Sequence, residues 1–151
     1  MIVRPAQMED LNDLFRFEQG VIAAERPYDV TLKDDPITYY DIPELIRSPQ
    51  AELLVAEVDG QLVGCGYVKI KTAKPNRKHV HYGYLGFMFV LPEYRGRGIN
   101  QAILAGLKQW SHQQGISEMR LEVYVENQSA LKAYAKGGFT PLVQEMRLAL
   151  P

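Results

Sequence analysis

Two apolar runs, Leu53-Leu54-Val55-Ala56-Glu57-Val58 and Gln61-Leu62-Val63-Gly64-Cys65-Gly66-Tyr67-Val68-Lys69-Ile70, are separated only by Asp59-Gly60. Asp-Gly supplies the positive φ angles of a two-residue turn, so the two runs pair antiparallel as neighbouring strands. The remainder of the chain has to be arranged around that hairpin. At 151 residues and 46% hydrophobic content there is room for one compact domain and none for a second.

The flanking patterns supply the other elements. A short strand near Ile2 to Arg4 precedes a helix from Met8 to Ala23, with Met8, Leu11, Phe15 and Ile22 as its apolar stripe. An irregular stretch from Glu25 to Asp41, rich in prolines, tyrosines and acids, leads into a short helix ending near Ser48-Pro49. After the hairpin and a basic tip, Lys71 to Lys78, a long strand runs from His79 to Val90. Gly83 and Gly86 interrupt it, and interior glycine marks a bulge or a close approach by another backbone or a ligand. A helix then starts at Ile99, with Ile103, Leu107 and Trp110 on one face, and ends before Gly115. Met119, Leu121, Val123 and Val125 alternate with Arg120, Glu122, Tyr124 and Glu126 as a fifth strand. Asn127 caps a helix closed by Gly137-Gly138, and a last strand pattern covers Leu142 to Leu148. The order is mixed α/β with mostly antiparallel strands.

Charge and cysteine content narrow the function classes. Seventeen Lys plus Arg against 18 Asp plus Glu leave a net charge of −1, without the basic footprint of a nucleic-acid binder. No basic amphipathic helix suggests a membrane surface, and no apolar run reaches spanning length. A cytoplasmic protein acting on small molecules is the expectation. Cys65 stands alone in a strand, so a buried structural thiol is expected, with no disulfide and no metal cluster.

Between the fourth strand and the following helix lies Leu91-Pro92-Glu93-Tyr94-Arg95-Gly96-Arg97-Gly98-Ile99-Asn100. A strand, a glycine-rich turn and a helix N-terminus together converge several backbone N–H groups on one point, which suits an anion, phosphate above all. Arg95 and Arg97 would add charge; a solvent-exposed turn is the other reading of the glycines alone. There is no Gly-x-x-x-x-Gly-Lys-Ser/Thr and no Gly-x-Gly-x-x-Gly after an N-terminal strand, so ATP-driven and nicotinamide-dependent chemistry are unsupported.

The stretch Phe89 to Ile99 resembles the acetyl-CoA pyrophosphate motif of the GNAT N-acetyltransferase superfamily, Arg/Gln-x-x-Gly-x-Gly/Ala, here falling on Arg95, Gly98 and Asn100. Roughly thirty residues on, the length of one helix and one strand, Leu121 to Phe139 resembles that family's second motif, L-x-V-x-x-x-N-x-x-A-x-x-x-Y-x-x-x-G-F. Asn100 replaces the usual small residue; its amide either crowds the phosphate loop or donates to it.

The resemblance implies a central, twisted, mostly antiparallel sheet of six to seven strands flanked by about four helices, with strands four and five splayed around acetyl-CoA. It places the co-substrate on Phe87, Met88, Phe89 and Val90, on Arg95, Gly96, Arg97, Gly98, Ile99 and Asn100, and on Asn127 and Ala130. Tyr134 falls at the position of the acid that protonates the leaving thiolate. An amine of pKa about 10.4 must lose a proton to attack, so a base or a water chain is needed. Glu122 is the candidate, with a strand glutamate paired to a cation as its other role; His79 and His81 share a face and are further bases. Glu25, Tyr28, Tyr39 and His81, with Asp29, Asp35 and Tyr40 nearby, would line the acceptor site. The expected activity is transfer of acetyl directly to a primary amine of a small molecule or peptide, without a metal. A non-catalytic acyl-CoA-binding regulator is the alternative. If the protein is a homodimer, the last strand is the element two copies would exchange.

Overall fold

The computed structural model describes residues 1–151. In chain order it contains β1 (Ile2–Pro5), α1 (Leu11–Glu25), α2 (Ile42–Arg47), β2 (Ala51–Val58), β3 (Gln61–Thr72), β4 (His81–Val90), α3 (Ile99–Gln113), β5 (Met119–Arg120) and α4 (Gln128–Lys136). The strands form one sheet in the order β1-β2-β3-β4-β5, antiparallel as far as β4 and parallel between β4 and β5. At the β2–β3 turn, Asp59 and Gly60 have φ of 51° and 78°, the two left-handed residues that a tight hairpin requires.

Strand alternation divides the core between the two faces of the sheet. On one face Leu53, Val55, Cys65 and Tyr67 meet Leu14, Phe17 and Val21 of α1 and Ile42 and Leu45 of α2. On the other, Leu54, Ala56, Val63 and Val68 meet Ile99, Ile103, Leu104 and Leu107 of α3. The buried stripe of α1 is therefore Leu14, Phe17, Val21 and Ile22, while Phe15 is 44% exposed. The expected stripe was offset because Met8 lies in a 3-10 turn before the helix, so counting from it assigns the wrong face.

In β4, Leu85 packs with the α3 face but Phe87 with the α1 face, although residues two apart on a regular strand share a face. The parity changes at a bulge. Cys65 pairs with Phe89 and Tyr67 with Gly86, so Phe87 and Met88 both stand opposite Gly66. Phe87 takes a left-handed φ of 56° to accommodate the extra residue. Gly86, where the sequence suggested a bulge or a close approach, directly precedes this bulge and is also small for packing: a Cβ there would lie 2.5 Å from Tyr67 Oη.

The sheet has five strands rather than six to seven. β4 and β5 pair only through Gly83–Met119 and Tyr84–Arg120, and the two chains then separate. The predicted fifth strand stops at Arg120, and Leu142 to Leu148 forms no ladder at all. Alternation reports an extended backbone, whereas a strand also needs a neighbour about 4.8 Å away.

A polar clamp fixes the first strand and the approach to α1. The Arg4 guanidinium donates to Asp10 Oδ2 at 2.8 Å and Oδ1 at 3.0 Å and to Glu57 Oε1 at 2.7 Å, and the Gln7 N–H reaches Asp10 Oδ2 at 2.7 Å. The Arg4 fork holds the Asp10 carboxyl below its usual range against the opposing effect of burial. Because the folded-state pKa is depressed, this stabilisation is present above the unfolded value of about 3.9 and is lost as pH falls through the lower folded value. Asp10→Asn should lower stability by about 1–3 kcal/mol at pH 7, the range for hydrogen bonds to charged groups. In urea unfolding measured against pH, the gap from the native protein should close below about pH 4.

Candidate active site

Past Tyr84 the β5-facing edge of β4 has no strand partner, and this open edge leads directly to the glycine-rich turn. Gly96 and Gly98 have φ of 77° and 80°, and Gly98 is the residue preceding the first turn of α3. A Cβ at either position would meet nothing within 4 Å, so glycine is required there for conformation and not for space. No side chain caps α3, which leaves its first N–H groups pointing out of the turn. Ile99 is buried and anchors the helix, while Asn100 is half-buried in its first turn.

The arginines divide their tasks. Arg95 Nε donates to the Val90 carbonyl at 3.0 Å, tying the turn to the end of β4, and the Arg97 guanidinium lies 4.9 Å from the centre of the Tyr94 ring. Both side chains remain exposed. The side chains of Phe87 to Val90 are engaged in packing. Phe87 stacks on Tyr40 with ring centres 4.5 Å apart, Phe89 packs on Phe17 at 5.1 Å, and Met88 and Val90 face α3. What this stretch offers a ligand is therefore its main chain.

On the opposite wall, Asn127 caps α4 by accepting the Ala130 N–H at 3.1 Å. Tyr134, on α4, packs edge-on against Phe139 with ring centres 5.9 Å apart. Burial first, and then the charge of Glu25, push its phenol up to about 12.

Glu25, at the end of α1, is half-buried; burial raises its carboxyl pKa, with Tyr39 partly offsetting this and Asp29 adding to it. Tyr39 Oη is buried beside Glu25 without a closed hydrogen bond, and desolvation with that neighbour pushes the phenol up to about 12. Tyr28 lies with its ring 6.1 Å from that of Tyr124. Tyr124 Oη donates to Asp29 Oδ2 at 2.6 Å, joining residues 95 apart in the chain. The Thr31 hydroxyl, then Tyr124, hold the Asp29 carboxyl low, with Arg147 contributing.

The loop that carries Tyr39 and Tyr40 is tied to α1 by a single buried carboxylate. Glu18, 1% exposed, accepts both the Tyr39 N–H at 2.9 Å and the Tyr40 N–H at 2.8 Å through Oε2. Glu122 is exposed on the extended chain after β5 and makes no salt bridge. Its charge is close enough, after burial, to help push the Tyr84 phenol up to about 12 and to raise Tyr67.

The Acetyltransferase (GNAT) family matches residues 8–139 of this sequence. The chain belongs to that family. An N-alpha-acetyltransferase of Sulfurisphaera tokodaii is 30% identical over 142 residues, covering 91% of this chain and 78% of that protein. Two solved structures share the fold. A mutant of the BH1408 protein of Bacillus halodurans superposes with a TM-score of 0.89 at 18% identity, over 100% of both chains. The aminoglycoside N-acetyltransferase AAC(6')-Iy in complex with CoA gives 0.76 at 19% identity, over 99% of each. The protein is thus a GNAT-family N-acetyltransferase.

In this acetyltransferase the residues singled out in sequence divide into three groups. Phe87 to Val90 and Arg95 to Asn100 form one continuous track. The charge of Glu25 reaches Tyr39 and Tyr134, Tyr28 joins this group through its ring contact with Tyr124, and Glu122 on the chain after β5 acts on Tyr84. His81 does not join them. It lies on the closed side of the β4–β5 opening, in a depression of about 260 Å³ with Gln50, Ile70, Gln114 and Ile116. It is roughly 30 Å along the strand from Val90 at about 3.3 Å per residue. Face alternation placed it correctly on β4 but carried no information on which end of the strand opens. Asp35 also stands apart, paired with Arg26 at 2.6 Å. Tyr84 and Tyr124 were missed, although Tyr124 shares the strand parity of Glu122. A concavity of about 600 Å³ between β1, β2 and α3 contains none of these residues.

Gly98→Ala should cost about 1–2 kcal/mol, the penalty of a left-handed Cβ, although the added methyl meets no atom. Gly98→Asn, larger but tolerant of that region, should cost less. Urea denaturation of the two variants would distinguish conformation from space.

Proposed function

We propose that the protein transfers an acetyl group from acetyl-CoA to a primary amine of a small molecule or peptide, with both substrates bound at once. The observation that carries this reading is the unpaired edge of β4 running into the uncapped start of α3. That edge offers main-chain donors and acceptors to an amide-bearing chain, and the turn offers N–H groups to phosphate. The open space around Gly96 and Gly98 fits such a group, and Arg95 and Arg97 stand exposed beside it.

Bound acetyl-CoA supplies an activated acyl carbon, and the amine nitrogen bonds to that carbon as the C–S bond breaks. Tyr134 is the acid. Its phenol, at about 12, keeps its proton throughout the working range and can give it to the departing thiolate. Glu25 is favoured as the group that takes the amine proton. It is half-buried, its carboxyl is raised above the ordinary value, and its charge reaches Tyr39, Tyr124 and Tyr134. Glu122, the base suggested by the family pattern, is the second candidate, exposed and without a cation partner. With Asp29, these carboxylates and the phenols of Tyr28, Tyr39 and Tyr124 suit a cationic amine. Retention of Tyr134 in the cleft supports catalysis over an acyl-CoA-binding regulator.

Tyr134→Phe should lower kcat by about 10²-fold or more, the scale of general acid catalysis, while the dissociation constant for acetyl-CoA stays unchanged. Steady-state release of CoA thiol and calorimetry would test the two halves of that statement. Activity should rise with pH through a carboxyl pKa above the ordinary value. Glu25→Gln should remove that rise and Glu122→Gln should leave it in place. The reverse pattern would assign the base to Glu122.

A further inference from the structure

Between Gly60 and Glu93 the chain contains Lys69, Lys71, Lys74, Arg77 and Lys78 but neither an Asp nor a Glu, although its net charge is −1. All five cations are exposed, and none takes part in a salt bridge. Solvation accounts for the three at the hairpin tip, whereas Lys69 and Lys71 stand on the sheet itself, within β3.

Across the ladder Lys69 pairs with Tyr84 and Lys71 with Tyr82, and Tyr84 pairs with Arg120 of β5. Ladder partners project to the same face, so these five side chains share one side of the sheet. Lys71 Nζ lies 3.9 Å from the centre of the Tyr84 ring, and the Arg120 guanidinium lies 5.9 Å from that of Tyr82 while pairing with Glu118 at 3.1 Å. This is also the side on which Tyr67 and Phe87 pack with Tyr40 and Tyr84. Tyr84 adjoins both ends of the face: it carries Lys71 over its ring, and after burial the charge of Glu122 raises its phenol, with Glu25 contributing. The sign of the charge therefore reverses along one face, from Glu25 and Glu122 to Lys69 and Lys71, with the half-buried rings of Tyr84 and Tyr82 along the way.

Resting on the acetyl transfer proposed above, we infer that the acceptor is a peptide whose terminal amine enters between Glu25 and Glu122 while an aspartate or glutamate at its third to fifth position is held by Lys69 and Lys71. Tyr84 is three residues from Phe87, about 10 Å at 3.3 Å per residue, and Lys69 stands opposite it. An extended peptide with its amine at the level of Phe87, where the open edge of β4 meets Tyr40, brings its fourth residue to that point. A polycation would meet like charge at the lysines, and a polyanion would meet it at Glu25, Asp29 and Glu122. Opposite signs at this separation select a molecule that carries both.

Steady-state release of CoA thiol from acetyl-CoA, with peptides identical except for Glu, Gln or Lys at positions three to five, tests this. KM for the Glu peptide should lie about tenfold below that for the Lys peptide, with Gln between them, and the gap should narrow as salt is raised. Moving the glutamates to the far end of the peptide should abolish the advantage. The double variant Lys69→Glu, Lys71→Glu should invert the order of the Glu and Lys peptides, which a loss of folding would not do. The native protein's response to the peptide series decides the matter even where that variant fails to fold. Equal KM values for the three peptides, a preference for Lys, or turnover of small amines but of no peptide would overturn this inference and leave acetyl transfer to amines standing. Absence of thiol release with every peptide and every small amine would remove the function on which it rests, and the inference with it.

Discussion

Two rungs of β-ladder, Gly83–Met119 and Tyr84–Arg120, join the outer strand to the rest of the sheet, and the proposed donor site depends on the ladder stopping there. Continued pairing would fill the main-chain edge of β4 and leave nothing for a ligand to bind. The bulge at Phe87 lies just beyond the last rung, on the strand that remains paired to β3. There the backbone turns out of regular register while its side chain is locked against Tyr40, so the irregularity is held from the core side and presented on the open side.

The two walls of the opening are stabilised by different kinds of force. The β4 wall is apolar, with Phe87, Phe89 and Val90 embedded in the two cores. The facing wall is polar and assembled from distant segments, with Tyr124 reaching Asp29 and a cluster of phenols surrounding Glu25. Burial is the first cause of the raised phenols there, and the Glu25 charge adds to it. On the proposed function, the rigid apolar wall takes the constant substrate and the charged wall the selected amine.

Much of this was legible in sequence where a local backbone requirement dictates the residue. Gly60, Gly96, Gly98 and Gly138 all adopt the positive φ expected of their turns, and Asn127 caps the helix it precedes. Spacing from Arg95 through Tyr134 matched two family motifs, and the structure sets the first on the turn before α3 and the second across the chain into α4. What local pattern cannot carry is whether an extended segment has a neighbour. That is why alternation predicts a longer fifth strand than Met119–Arg120 and a sixth that forms no ladder. Nor does it reveal a non-glycine residue in a left-handed conformation such as Phe87, whose strain is compensated by tertiary packing. The contact of Tyr124 with Asp29 and the isolation of His81 are likewise products of the assembled sheet.

Glu18 gives the loop between α1 and α2 a modular character. The loop between the first two helices is held over the core by two consecutive main-chain amides converging on one oxygen of that carboxylate. Main-chain amides are common to every residue except proline, so the anchor recognises the path of the loop and not its sequence. A loop of different length or composition that returns two such amides to Glu18 would dock in the same place without disturbing β4 or α3. On the proposed reading of this loop as the acceptor side, its residues can change while β4 and α3 keep theirs.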